Sequence, residues 1–187
     1  MLLTFPDSRQ SKSFSCGAAA TQAVLYYYGI EHREDQIIEA LDSNDQQGTP
    51  PGNIVRALLG AGLSVFAGRT TLADVKRHLD QGHPTILALQ AWGEPGDYAH
   101  QNKDGHYVVA IGHQDGSIIF DDPSLLSNRG YITESELDQR WHDLAGNGMY
   151  LDHFGIVASG TPKYDPKRIL SIQASRVASR WLSQNYA

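Results

Sequence analysis

Between residues 16 and 80 the apolar positions recur in steps of three and four. Ala19, Ala20, Ala23, Val24 and Tyr27 share one stripe that begins at Cys16 and stops before Gly29, which predicts a helix over Cys16–Tyr28. Ile37, Ile38 and Leu41 predict a second helix over Glu34–Leu41, and Thr49-Pro50-Pro51 opens a third that runs to Leu59. Leu72, Val75 and Leu79 align a fourth over Thr71–Asp80. Leu63–Ala67 reads as a short strand, Pro84–Gln90 as a buried one, and Ala91–Gly105 as a polar loop. Beyond that loop the pattern turns to strands at Tyr107–His113, Ser117–Phe120 and Phe154–Ala158. A helix over Glu134–Trp141, capped by Thr133 with Glu136 three residues on, lies among them. Trp141-His142-Asp143 reads as the close of that helix and not as part of any chemistry. Helices first and a small antiparallel sheet afterwards give an α+β fold.

At 187 residues, with 41% hydrophobic and 19% charged side chains, the chain has the makeup of an ordinary globular domain. Its formal charge of −6 provides no basic field, so nucleic acid is not an expected partner. No apolar run reaches membrane-spanning length, and no basic segment followed by an apolar one opens the chain. One cysteine makes no internal disulfide, which points to a cytoplasmic setting.

That cysteine, Cys16, stands where a polar loop, Gln10-Ser-Lys-Ser-Phe-Ser, meets the first helix. Unpaired N–H groups and the positive end of the helix dipole favour a thiolate there and can receive an oxyanion. Gln10, six residues upstream, has a side-chain amide able to join that hole. Distant His106 and Asp122 complete the pattern of a lone cysteine with a histidine and an acid. The polar surroundings of Cys16 argue against a buried hydrophobe, and Gly17 allows a close approach to the backbone.

The hairpin decides which acid reaches His106. A three-residue loop Gln114-Asp115-Gly116 pairs Val108 with Asp122 and puts Asp122 on the face of His106, one diagonal step away. A two-residue Asp115-Gly116 turn pairs Ala110 with Asp121 and puts Asp121 on that face instead. Asp122, held extended by Pro123, is the expected partner, with Asp121 the alternative.

Gln10 before Cys16-Gly17, the helix end Tyr26-Tyr27-Tyr28-Gly29, the segment Gly105-His106-Tyr107-Val108-Val109 and the pair Asp122-Pro123 together resemble cysteine peptidase family 39 over residues 5 to about 158. Its members are the double-glycine-leader peptidases of the papain-like clan. The resemblance implies a papain-like fold with the nucleophile on the first helix, packed against a sheet that carries the base. It implies Cys16 as nucleophile, His106 as general base then acid, Asp122 as its orienting residue and Gln10 as oxyanion donor. Peptide hydrolysis through an acyl-enzyme follows, on a peptide or protein substrate and with no cofactor. The alternatives are acyl or peptidyl transfer from the same thioester, or a peptide-binding module without turnover. Ser15 stands where the family commonly has an acidic residue, and it is a good helix cap.

Gly17 and Gly105, beside the nucleophile and the base, are candidate substrate-binding positions. Trp92 and Tyr98 either line the cleft or pack the long loop against the core. His100, Asp104 and His106 lack zinc-site spacing, and Asp143–Asp152 lacks the acidic ladder of a calcium loop, so no metal is expected. The peptidase domain is expected over 1–160. Residues 161–187 are expected to form a helical extension with Leu170, Ala174, Val177 and Trp181 in one stripe, which docks on its own domain, on a partner or second copy, or, last in order, on a membrane surface.

Overall fold

The computed structural model describes residues 1–92, 98–125 and 129–169. Eight strands and five α-helices follow in the order α1 (Cys16–Tyr27), α2 (Glu34–Ala40), α3 (Pro51–Gly60), β1 (Ser64–Arg69), α4 (Leu72–Asp80), β2 (Thr85–Gln90), β3 (Gly105–Gln114), β4 (Ser117–Asp121), β5 (Arg129–Thr133), α5 (Glu134–Arg140), β6 (His142–Leu144), β7 (Tyr150–Asp152) and β8 (Phe154–Ser159). Six strands form one antiparallel sheet in the order β1-β8-β2-β3-β4-β5, and β6 and β7 form a separate hairpin. The fold is α+β and papain-like: α1, α2 and α3 cover one face of the sheet, and α4 and α5 the other.

Alternation along β2 and β3 separates the two cores. Ile86, Ala88, Tyr107, Val109 and Ile111 face α1, while Leu87, Leu89, Val108 and Ala110 pack with Val75, Leu79, Leu137 and Trp141. Helix α1 is buried nearly all round, which its run of alanines permits because small side chains bring sheet and helices close. The stripe expected over 170–187 lies outside the described residues. Before it, Lys163 and Tyr164 donate their backbone N–H groups to the carbonyl of Tyr27 and tie the segment after β8 to the end of α1.

The hairpin between β3 and β4 differs from the expected one in two places that offset each other. Its turn has two residues, not three: Gln114 pairs with Ser117, and Asp115 and Gly116 both adopt positive φ, at 49° and 74°. An unbroken ladder from that turn would bring Asp121 onto the face of His106. A bulge between Ala110 and Gly112 shifts the register by one, so Val109 faces Asp121 and Asp122 comes opposite Val108. The bulge falls where β2 ends and the chain's first residues take over as the neighbour of β3. Leu2 bridges Gly112, and the Leu3 N–H donates to the Ile111 carbonyl at 2.8 Å. Gly112 has no side chain to collide with them, since a Cβ there would sit 2.6 Å from the Met1 carbonyl.

Asp121 is therefore turned to the opposite face, where it is 2% exposed. It accepts from the Ser8 hydroxyl at 2.5 Å and pairs with Arg129, whose guanidinium also donates to the carbonyls of Phe5 and Pro6. This cluster pins residues 5–8 across β4 and β5. Asp121→Ala leaves the Arg129 charge without its buried partner and is expected to destabilise the protein by about 3 kcal/mol. Chemical denaturation of the two proteins checks it.

Candidate active site

Helix α1 begins beside the first residue of β3, and there the candidate residues converge. Cys16 is 9% exposed and lines a cleft of about 380 Å³. It is less open than its polar neighbours in sequence suggest, because the loop before α3 folds over the helix start. Gly17 is part of the reason: a Cβ there would lie 2.6 Å from the Cβ of Thr49. The close approach that glycine permits is made by the chain itself. Thr49 is fixed in turn by a 2.8 Å hydrogen bond to the Ser43 hydroxyl.

His106 is 2% exposed and its Nε2 lies 2.7 Å from Oδ1 of Asp122. Cys16 is near enough to act on the charge of the ring, and with Nε2 engaged by Asp122 the nitrogen left to serve the thiol is Nδ1. Burial works against a charged imidazole. The bond to Asp122, the nearby Cys16 side chain and the charge of Asp122 outweigh it and raise the pKa to about 9. Asp122 is also desolvated, which opposes its ionisation, yet His106 and the hydrogen bonds from the Ser124 N–H (2.8 Å) and hydroxyl (2.7 Å) hold its pKa below the usual value. Trp92 covers the imidazole with ring centroids 5.1 Å apart while remaining 52% exposed.

Gln10 arrives beside this group because its backbone N–H donates to the carbonyl of Pro123, the residue after Asp122. Its Nε2 donates to the Lys12 carbonyl at 2.8 Å and to the Ser13 carbonyl at 3.3 Å, inside the loop that leads to Cys16. An oxyanion would have to take one of these two protons, and the longer bond is the one to yield.

Two expectations are corrected. Tyr98 does not line the cleft; it turns inward, with the Arg140 guanidinium 3.4 Å from its ring centroid, because a long loop needs such an anchor. Ser15 does not cap α1 with its side chain, since its hydroxyl points to Glu34 at 2.7 Å. The same carboxylate accepts from the Ser11 N–H at 2.9 and 3.1 Å. Glu34 thus holds both ends of the loop between Gln10 and Cys16, a role that sequence reasoning missed because the partners lie 19 and 23 residues away.

Asp143 was missed as well. The chain leaves the helical path after Arg140, and β6 carries Asp143 into the cleft wall over Gly105. A Cβ at Gly105 would overlap that carboxylate. The turn between β6 and β7 meets the 43–49 loop where Gly146 packs on Gln47, and this contact joins two sides of the cleft.

The arrangement sets a thiol at a helix N-terminus near a buried imidazole that a carboxylate holds by its Nε2. Residues 2–149 match the model of the Peptidase_C39-like family. The chain belongs to that family. An uncharacterized protein of Methanothermobacter marburgensis is 30% identical over 117 residues, which is 63% of this chain and 70% of the relative. Among solved structures, a double-glycine-motif protease from an AMS/PCAT transporter, in complex with its leader peptide, superposes with a TM-score of 0.63. The match covers 86% of this chain and 94% of that one, at 18% identity. The peptidase domain of Streptococcus ComA, a bifunctional ABC transporter, gives 0.62 over 82% and 97% at 20% identity. Likeness at these identities establishes the fold that this C39-like protein shares with them. No helix among the described residues is long and apolar enough to cross a membrane.

Proposed function

We propose that this C39-like protein is a cysteine-type peptidase that hydrolyses peptide bonds through an acyl-enzyme on Cys16. The observation that carries the reading is the buried His106 ring, held at 2.7 Å by Asp122 and close enough to Cys16 for that side chain to help raise its pKa. A peptide fits as substrate class because the neighbour from the AMS/PCAT transporter binds a leader peptide. Processing of leaders or precursors is the corresponding biological role.

In the forward reaction His106 takes the thiol proton and the thiolate attacks the scissile carbonyl. The C–O π pair moves to oxygen, and the tetrahedral oxyanion is received by the Cys16 N–H and Gln10. Collapse expels the amine, which leaves with the proton from His106. Water, deprotonated by His106, then attacks the thioester and releases the acid and the thiol. Asp122 holds the tautomer throughout and does not take the proton. Trp92 covers the ring and keeps water from competing for its hydrogen bonds.

Incubation with a diverse peptide library, read by mass spectrometry against Cys16→Ala, tests the reading. Products that require Cys16 support it, and identical spectra reject it. Gln10→Ala is expected to lower kcat on the order of 100-fold with little change in KM, because the donor acts on the oxyanion and not on the bound peptide. Steady-state kinetics on a peptide found in that screen checks this.

A further inference from the structure

We propose that Asp143 makes the subsite beside Cys16 selective for a cationic group of the substrate, either a lysine or arginine side chain or a free amino terminus close to the scissile bond. The inference rests on the peptidase reading above and names the class of peptide that the same cleft selects.

The carboxylate is built into its position. Oδ1 accepts from the Leu144 N–H at 2.8 Å and from Nε2 of Gln90 at 3.0 Å, so the side chain cannot swing away. Gly105, immediately before His106, is where the backbone makes room for it. Oδ2 has no hydrogen-bond partner among the described residues, and no lysine or arginine among them forms an ion pair with this group. Burial pushes its pKa above the usual carboxylate value, which is the signature of a charge only partly compensated by its surroundings. Among the described residues that line the cleft, Asp45 and Asp143 bring carboxylates and Lys103 an amine. Burial, then the charges of Asp143 and Cys16, raise the phenol of Tyr107 in the cleft wall, so that hydroxyl feels carboxylate and nucleophile together. A substrate cation placed there completes the unfilled valence of Oδ2 with a charge-assisted hydrogen bond.

Binding to the Cys16→Ala protein reads this without turnover. Three probes serve: an N-acetylated peptide with an internal lysine, the same peptide with norleucine, and the norleucine peptide with a free amino terminus. At least one cationic probe is expected to bind about tenfold or more tightly than the acetylated norleucine peptide by calorimetry. The stronger of the two identifies the source of the charge. Asp143→Asn in the same background keeps the Leu144 and Gln90 bonds available and should bring the three affinities together, with thermal melting confirming the fold. Equal affinities in the Cys16→Ala protein, or a preference that persists after Asp143→Asn, overturn the inference. The library screen separates the two readings: Cys16-dependent products with no enrichment of cations near the cut reject the subsite alone, whereas no Cys16-dependent product rejects the peptidase.

Discussion

His106→Ala is expected to reduce kcat/KM for peptide cleavage on the order of 10⁶-fold, close to the effect of removing Cys16 itself, because thiol and imidazole act as one unit. Alanine removes the proton acceptor for the thiol and the donor for the leaving amine in a single step. A direct readout exists at the sulfur. Iodoacetamide reacts with the thiolate, so alkylation of Cys16 near pH 6 should be fast in the native protein and slow in His106→Ala. The comparison needs no known substrate. Equal alkylation rates in the two proteins would mean that the ring seen next to Cys16 does not activate it.

Asp122→Ala is the second large effect, a loss on the order of 100-fold or more in kcat. Its pH dependence is more diagnostic than its size. With Asp122 in place the imidazole pKa is about 9, so cleavage by the wild-type protein should decline as pH rises through about 9 and the proton for the leaving group is lost. Burial alone lowers that pKa, while the hydrogen bond and charge of Asp122 raise it. Removing the carboxylate must therefore move the alkaline limb to lower pH. Single-turnover rates between pH 6 and 10 check the direction; a limb that stays in place would show that Asp122 does not govern the ring.

Much of the α1 side of the site was legible because its signals are local. A lone cysteine at a loop-to-helix boundary, with an amide six residues earlier, needs only the helix pattern to be placed. The acid was legible for a different reason. Asp122 was expected from a three-residue turn, yet the turn has two residues and the register is restored by the bulge beside Ile111. That bulge coincides with a change of neighbour from β2 to Leu2, a contact 110 positions apart, and nothing in the hairpin's own sequence announces it. The short strands β5, β6 and β7 were invisible for want of alternation, and with them went Asp143, which the helical reading of Trp141-His142-Asp143 had set aside. Glu34 looked like an ordinary first-turn acid of α2. Only the folded chain brings it under Ser11 and Ser15.

Asp121 and Asp122 are consecutive residues pointing to opposite faces, one gripping the 5–8 strap through Ser8 and Arg129, the other holding His106. Gln10 hangs from the next residue along, Pro123. Amide exchange should register this as a single cooperative opening: protection of the strap and of the Ser124 amide ought to be lost together, with no populated species in which the base is seated and the oxyanion side is loose. A site wired in this way is either wholly assembled or wholly open, with no half-built form in which the Cys16 thiol stands unshielded.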